Sequence, residues 1–125
     1  MTSAHTDALE KTNRMNMLFD FYEPLLTDKQ RTFLMQYFIE DFTLGEIAAE
    51  VGISRQAVYE HIKRAETVLE NYEAKLGLLS RHSALRNAMD ELETQIATMP
   101  QDGTHTSKLM QIAESLRQAE QARNK

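Results

Sequence analysis

The sequence contains no cysteine, which excludes disulfides, zinc fingers, thiol catalysis and cysteine-bound iron–sulfur clusters and fits a reducing compartment. Only four glycines are present, and they are scattered, so no glycine-rich loop is available to hold a nucleotide phosphate. No apolar run approaches the roughly 18 residues of a membrane-spanning helix, and the N-terminus lacks the pattern of a secretion signal. We therefore expect a soluble, cytoplasmic protein without membrane insertion.

Metal and catalytic patterns are also missing. Neighbouring carboxylates such as Glu40-Asp41 and Asp90-Glu91 diverge on a helix, which favours solvation over shared acid–base chemistry. The four histidines show no metal-ligand spacing: His5, His61, His82 and His105. We expect a binding module that is not an enzyme and that uses no metal or cofactor.

Negative charge dominates the chain, but it is unevenly distributed. The formal net charge is −5 at pH 7. Four Lys/Arg against nine Asp/Glu give −5 over residues 1–54, six against four give +2 over residues 55–86, and four against six give −2 over residues 87–125. The net charge argues against a protein that binds nucleic acid over its whole surface, and the positive charge lies in the middle third of the chain.

Apolar residues recur at three- and four-residue steps, and no stretch alternates for the length of a strand, so we predict an all-α protein. Capping residues at Thr27, Thr43 and Ser54 mark helix starts, while Gly52 and Gly77 mark helix ends. The predicted helices span about 7–22, 28–40, 44–51, 55–76, 81–98 and 107–123, with a loop over 100–104.

The segment 43–62 meets the steric requirements of a helix-turn-helix. Ala48 is small enough for two helices to approach closely, and Gly52 tolerates the positive φ that a tight turn requires. Apolar side chains at the remaining key positions are predicted to point between the two helices: Ile47, Val51, Ile53, Val58 and Ile62. The helix that begins near Arg55 is thus the predicted recognition helix.

The outer face of this helix carries side chains suited to nucleic acid, since Arg and Gln read guanine and adenine edges and Lys and Arg bind phosphates. Any solvated helix face has a similar composition, so the pattern alone leaves both interpretations open. Three phosphate contacts give a salt slope of only about −2.7 per copy, so useful affinity calls for a dimer or another anchor. The candidate contact residues are Arg55, Gln56, Tyr59, Glu60, Lys63 and Arg64.

Beyond residue 79 the spacing of apolar residues predicts a helical hairpin. An apolar seam covers about two heptads, which is too short for a free-standing coiled coil and favours a subunit interface. The seam consists of Leu85, Met89, Leu92, Ile96 and Met99. We therefore expect a helix-turn-helix domain over 1–79 and an extension over 80–125 that makes a homodimer.

Two longer stretches resemble known families. TLGEIAAEVGISRQAVYEHIKRAETVLENYEAKL resembles the promoter-reading helix-turn-helix of sigma factors, their region four. Residues 9–66 resemble the YlxM family of small helix-turn-helix proteins throughout, above all in RMNMLFDFY at 14–22 and SRQAVYEHIKR at 54–64. The resemblance covers about residues 9–79, and the tail after about Ser80 carries no matching family motif.

The resemblance implies an all-α, sigma-region-four-like helix-turn-helix bundle with a C-terminal helical extension. It also implies a regulatory protein of the signal recognition particle pathway that binds the RNA or protein components of the particle. Carried over by position, the contact residues are the six named above. Two alternatives stay open: a dimeric transcription regulator that reads duplex DNA, and a helical protein-interaction module that binds no nucleic acid.

Overall fold

The computed structural model describes residues 2–100 and 103–122, and in these residues the chain is helical without any strand. The predicted all-α class is confirmed. The helices are α1 (Thr2–Tyr22), α2 (Asp28–Leu34), α3 (Leu44–Val51), α4 (Arg55–Leu76), α5 (Leu78–Thr98) and α6 (Thr104–Ala122). A 3₁₀ turn, Glu23–Leu25, follows α1, and a π-helical segment, Met35–Ile39, continues α2.

The predicted capping residues set the helix ends. The Thr27 hydroxyl accepts a hydrogen bond from the Gln30 amide at 3.2 Å, and the Gln30 side-chain oxygen accepts one from the Thr27 amide at 3.0 Å. This reciprocal pair satisfies amides at the start of α2 that have no partner inside the helix. At the end of α4, Gly77 has φ 62° and donates its amide to the Glu73 carbonyl at 2.8 Å.

Several helix bounds differ from the prediction. α1 begins at Thr2 instead of residue 7, and α6 begins at Thr104 instead of residue 107. α5 begins at Leu78 instead of residue 81, directly after the left-handed Gly77 that ends α4. α2 ends at Leu34 and gives way to wider π turns, in which the Glu40 amide bonds to the Met35 carbonyl at 2.9 Å. Of the other predicted positions, Gln101, Asp102 and Arg123 lie outside the described residues.

The chain divides into two compact units, an N-terminal unit of residues 1–77 and a C-terminal unit of residues 78–125. In the N-terminal unit, α4 packs against α1, α2 and α3. One apolar stripe of α1 is buried, as is the inner face of α4 as far as Leu69. The core includes Met15, Leu18, Phe19, Tyr22, Phe33, Leu34, Ile47, Val58, Ile62, Ala65 and Leu69.

Two tyrosines tie the first half of the N-terminal unit to the distal part of α4. The hydroxyl of Tyr22, a residue with no exposed surface, donates to a Glu73 carboxylate oxygen at 2.6 Å. The Tyr72 hydroxyl donates to the Leu25 carbonyl at 3.2 Å. Because these bonds join residues about 50 apart in sequence, they hold α4 in one position along α1.

The C-terminal unit is a hairpin of α5 and α6. Arg117 of α6 bonds to Glu93 and, at 2.7 Å, to Asp90 of α5, so charged groups join the two helices. Of the predicted apolar seam, Met89 and Ile96 are buried while the other three members stay 40–43% exposed. No helix in the described part of the chain is long and apolar enough to cross a membrane.

Candidate nucleic-acid interface

The first helix of the helix-turn-helix, α3, is fixed at its start by Thr43. The Thr43 hydroxyl accepts from the Glu46 amide at 3.1 Å, and the Glu46 carboxylate accepts from the Thr43 amide at 2.9 Å. The carboxylate also lies where the positive end of the helix dipole stabilises negative charge. The sequence pattern at this position therefore produces the helix start that it predicts.

The turn depends on Gly52, which has φ 82°. In this conformation the amides of Gly52 and Ile53 both donate to the Ala48 carbonyl, at 2.9 and 3.2 Å. Ser54 then caps α4, because its hydroxyl accepts from the Ala57 amide at 3.0 Å. Three residues, Gly52, Ile53 and Ser54, thus join α3 to the recognition helix.

The residues between the two helices are mostly buried, as predicted, with one correction. Ile47 and Val58 have no exposed surface, and Ile62 is 2% exposed. Val51 is 46% exposed, so the prediction that it points between the helices is wrong. It is the last residue of α3, and the chain turns at Gly52 before another helix can cover it.

The six predicted contact residues are all found along the outer side of α4. Five are exposed and Lys63 is half-buried. Arg55 and Gln56 occupy the first turn, where a recognition helix meets base edges, and Arg64 lies two to three turns further along. The helix therefore presents one contiguous face made of Arg55, Gln56, Tyr59, Glu60, Lys63 and Arg64.

Two arginines of this face are available for anions. Within residues 2–100 and 103–122, neither Arg55 nor Arg64 forms a salt bridge. Arg64 lies 3.1 Å from Nδ1 of His61, and the Gln56 side-chain amide makes a long 3.4 Å contact with Glu60. Little internal bonding has to be broken before these side chains can contact a ligand.

Lys63 is held differently, because its ammonium group turns toward α1. It lies 3.9 Å from a Glu66 carboxylate oxygen and 5.5 Å from the centre of the Tyr59 ring. The same oxygen forms an ion pair with the Lys11 ammonium group of α1 at 2.9 Å, and Glu66 is only 8% exposed. One carboxylate is therefore shared by two ammonium groups, and the Lys11 side chain lowers the pKa of Lys63.

Sequence reasoning did not identify these acidic partners or the α1 cations that meet them. Besides the Lys11–Glu66 pair, Arg14 donates to both carboxylate oxygens of Glu70, at 2.8 and 2.7 Å. The sequence does contain a pattern for these ion pairs, since α1 carries cations three residues apart and α4 carries carboxylates four residues apart. Recognising it required knowing that these two helices are neighbours.

The hydrogen bonds from Arg14 lower the pKa of Glu70. A carboxyl group with a lowered folded-state pKa stabilises the fold above its unfolded value of about 4.3, and the contribution is lost as the pH falls below that value. Both side chains are more than 40% exposed, so the contribution is at most about 1 kcal/mol.

We therefore expect Glu70→Gln to lower the free energy of unfolding by up to about 1 kcal/mol at neutral pH and to have less effect near pH 3.5. Urea unfolding followed by circular dichroism at both pH values measures the difference. Asp20→Asn, at another exposed acid of the same unit, is the control. An equal loss for Glu70→Gln at both pH values would contradict the role assigned to the ion pair.

Among the described residues, no cluster of His, Asp or Glu could hold a metal ion. His61 is half-buried, and its ring stacks on Phe33 with centroids 4.9 Å apart. His82 pairs with Glu120 at 2.7 Å within the hairpin. These two histidines have structural partners in their own units.

Comparisons with known proteins find one family of helix-turn-helix proteins. The family model described as "Putative helix-turn-helix protein, YlxM / p13 like" matches residues 9–121. A UPF0122 protein of Listeria innocua is 53% identical over 87 residues, which are 70% of this chain and 79% of that protein. A UPF0122 protein of Halalkalibacterium halodurans is 49% identical over 109 residues, which are 86% and 95% of the two chains. The match includes α5 and most of α6, so the prediction that the family resemblance stops near residue 79 was too short.

Proposed function

Since the chain belongs to the YlxM and p13-like family of helix-turn-helix proteins, we propose that it is a regulatory protein that binds nucleic acid through the outer face of α4. The observation that carries the proposal is the pair of arginines at the two ends of this face. They are exposed, they form no salt bridge with described residues, and they follow a capped turn of helix-turn-helix geometry.

The spacing of the arginines suits a nucleic-acid backbone. Arg55 and Arg64 are nine residues apart, which is about 13 Å along a helix axis. Between them Gln56 offers a donor and an acceptor on the first turn, where base edges are read. The predicted roles are therefore base or phosphate contact at Arg55, base contact at Gln56 and phosphate contact at Arg64.

The charge of this face limits its affinity. If only the two arginines neutralise phosphates, the salt slope is about −1.8 per copy, because Lys63 is already paired with Glu66. A slope of this size corresponds to weak binding at physiological salt. We propose that a second copy of the chain supplies the remaining contacts.

The α5–α6 hairpin supports this second proposal. Its apolar side chains line a groove of about 360 Å³, in which Leu85, Leu92 and Leu116 are 40–50% exposed. Two helices of 21 and 19 residues form a face of roughly 30 Å by 20 Å, or about 600 Å² per copy. Pairing two such faces buries about 1,200 Å², the lower limit of a standard stable interface.

We expect the double substitution Leu92→Glu/Leu116→Glu to convert a dimer into a monomer, because carboxylates lose too much hydration when an interface covers them. Light scattering at tens of micromolar measures the mass. Asn87→Glu/Gln111→Glu adds two carboxylates at exposed positions that do not line the groove and serves as the control. A monomeric unsubstituted chain at this concentration would contradict the dimer.

The ligand that we propose is the signal recognition particle, through its RNA or its protein components, which places the protein in the cytoplasm. The support is the resemblance to YlxM over 9–79 together with the match of the family model through residue 121. Tagged full-length protein should recover the particle RNA or its GTPases from a lysate of the source organism, as read by RNA sequencing and mass spectrometry. Recovery of neither would exclude this partner.

A transcription regulator that reads duplex DNA is the second candidate, and Arg55 and Gln56 at the first turn of α4 favour it. In a DNA reader, Arg55→Ala and Gln56→Ala relax the sequence preference, whereas loss of a phosphate contact weakens binding to all sequences alike. Selection of bound fragments from sheared genomic DNA separates the two outcomes. Failure to shift any fragment at low salt would exclude this candidate and leave the signal recognition particle and the protein-interaction module.

A further inference from the structure

A second surface lies beside the recognition helix, on the side that faces α2. It is a groove of about 370 Å³ between α2, the helix-turn-helix turn and α4. We name it the turn groove, and its lining residues are Asp28, Lys29, Thr32, Phe33, Val51, Ile53 and His61. Its volume falls within the range of roughly 300–1,000 Å³ that is usual for ligand pockets.

The apolar part of the turn groove includes two side chains, Val51 and Ile53, that the packing of the helix-turn-helix leaves partly uncovered. Val51 is 46% exposed and Ile53 is half-buried. Beneath them the His61 ring lies nearly parallel to Phe33, at an interplanar angle of 9°, which gives a flat, rigid floor. A partner that covers the groove would therefore bury apolar surface without rearranging the core.

Around the groove the cations Lys29, Arg31 and Arg64 exceed the acids Asp28 and Glu60 by one charge. Lys29 and Arg64 act on His61 from α2 and α4, and together with burial, which has the largest effect, they lower the pKa of His61. Asp28 is already paired with Arg31 at 2.8 Å. Glu60 is an acidic neighbour that acts on His61 in the opposite sense. Apart from the Asp28–Arg31 pair, Lys29 and Arg64 outnumber Glu60, so the rim attracts negative charge.

We propose that the turn groove is a docking site for a partner protein segment that presents an apolar side chain flanked by carboxylates. The apolar floor takes the side chain, while Lys29 of the lining and Arg64, which lies 3.1 Å from the lining residue His61, pair with the carboxylates. A nucleic-acid backbone fits this site less well, because phosphates gain nothing from the apolar side chains of Val51 and Ile53. The proposal goes beyond nucleic-acid binding and does not depend on it.

The probe is a synthetic peptide, acetyl-Glu-Glu-Leu-Phe-Glu-Glu-amide, titrated into the ¹⁵N-labelled full-length protein. We expect amide shifts concentrated at residues 29–33, 51–53 and 61. Val51→Asp should weaken binding by at least about 10-fold, because it replaces an apolar contact with a charge that repels the peptide. Lys29→Glu should weaken it by several-fold and reduce its salt dependence.

Ile39→Asp is the matched control, because Ile39 is also β-branched, 47% exposed and the last residue of its helical segment. It should leave peptide binding within about twofold of the unsubstituted value, since it lies outside the groove. Thermal unfolding by circular dichroism verifies that both aspartate variants fold. Because Val51 and Ile39 are both exposed, similar melting temperatures are expected.

Three outcomes would overturn the proposal. The first is no shift at the groove residues at millimolar peptide. The second is equal binding of a peptide in which lysine replaces glutamate, since that removes the charge preference. The third is that a 20-base-pair DNA duplex or the particle RNA shifts the groove residues instead of the peptide. A failure of nucleic-acid binding alone would leave these peptide results unaffected, so the two proposals fail separately.

Discussion

Replacing Leu69 with alanine is expected to lower the free energy of unfolding of the N-terminal unit by about 3 kcal/mol, the largest effect of any substitution considered. Leu69 has no exposed surface and lies on α4, which packs against α1, α2 and α3. Removing its side chain loses transfer free energy and leaves a cavity in the middle of the unit. Such a loss is a large fraction of the stability of a domain of this size.

Tyrosine emission during urea unfolding measures the change in one unit only. All four tyrosines lie in residues 1–77, and residues 78–125 contain no tyrosine or tryptophan, so the signal reports the N-terminal unit alone. Leu76→Ala is the matched control on the same helix, because Leu76 is 46% exposed, and we expect less than about 1 kcal/mol. Similar losses of unfolding free energy for both variants would contradict the burial of Leu69 in the core.

The second large effect is expected from Arg55→Ala/Arg64→Ala, which should reduce nucleic-acid affinity by about 10- to 100-fold at low salt and make the salt slope shallower by about 1.8. These are the cations of the recognition face that form no salt bridge within the described residues. Fluorescence anisotropy with a labelled duplex or the particle RNA, repeated over a salt series, gives both quantities.

Two related variants sharpen this test. Lys63→Ala should change the slope by well under one, because Glu66 already neutralises much of its charge. Glu66→Gln should make the salt slope of nucleic-acid binding steeper, since it frees both Lys11 and Lys63 from their carboxylate partner. Arg86→Ala/Lys108→Ala removes the same net charge from the C-terminal unit and controls for long-range attraction. Equal losses for this control and the double arginine variant would contradict the assigned face.

The parts of the fold that could be predicted are those decided by neighbours in sequence. Thr27, Thr43 and Ser54 cap helices because their hydroxyls reach amides three residues ahead. Gly52 and Gly77 end helices because glycine adopts positive φ at little cost. The apolar spacing of α4 identified its buried side as far as Leu69, and the outer face followed from it.

The parts that could not be predicted depend on which elements meet in space. Val51 fits the apolar pattern of α3 but is left uncovered because the chain turns immediately after it. A helical wheel places Lys63 on the outward side of α4. In the structure its flexible side chain bends toward Glu66, which also pairs with Lys11 of α1. Neither outcome follows from helical periodicity, because both are set by the packing of neighbouring helices.

The carboxylate of Glu66 connects α1 electrostatically to the outer face of α4. Lys11 and Lys63 share this one carboxylate, and the Lys11 side chain lowers the pKa of Lys63. A substitution of Lys11 therefore changes the electrostatic surroundings of Lys63, although the two residues lie on different helices. In this way α1 contributes to the charge of the outer face of α4 without supplying a predicted contact residue.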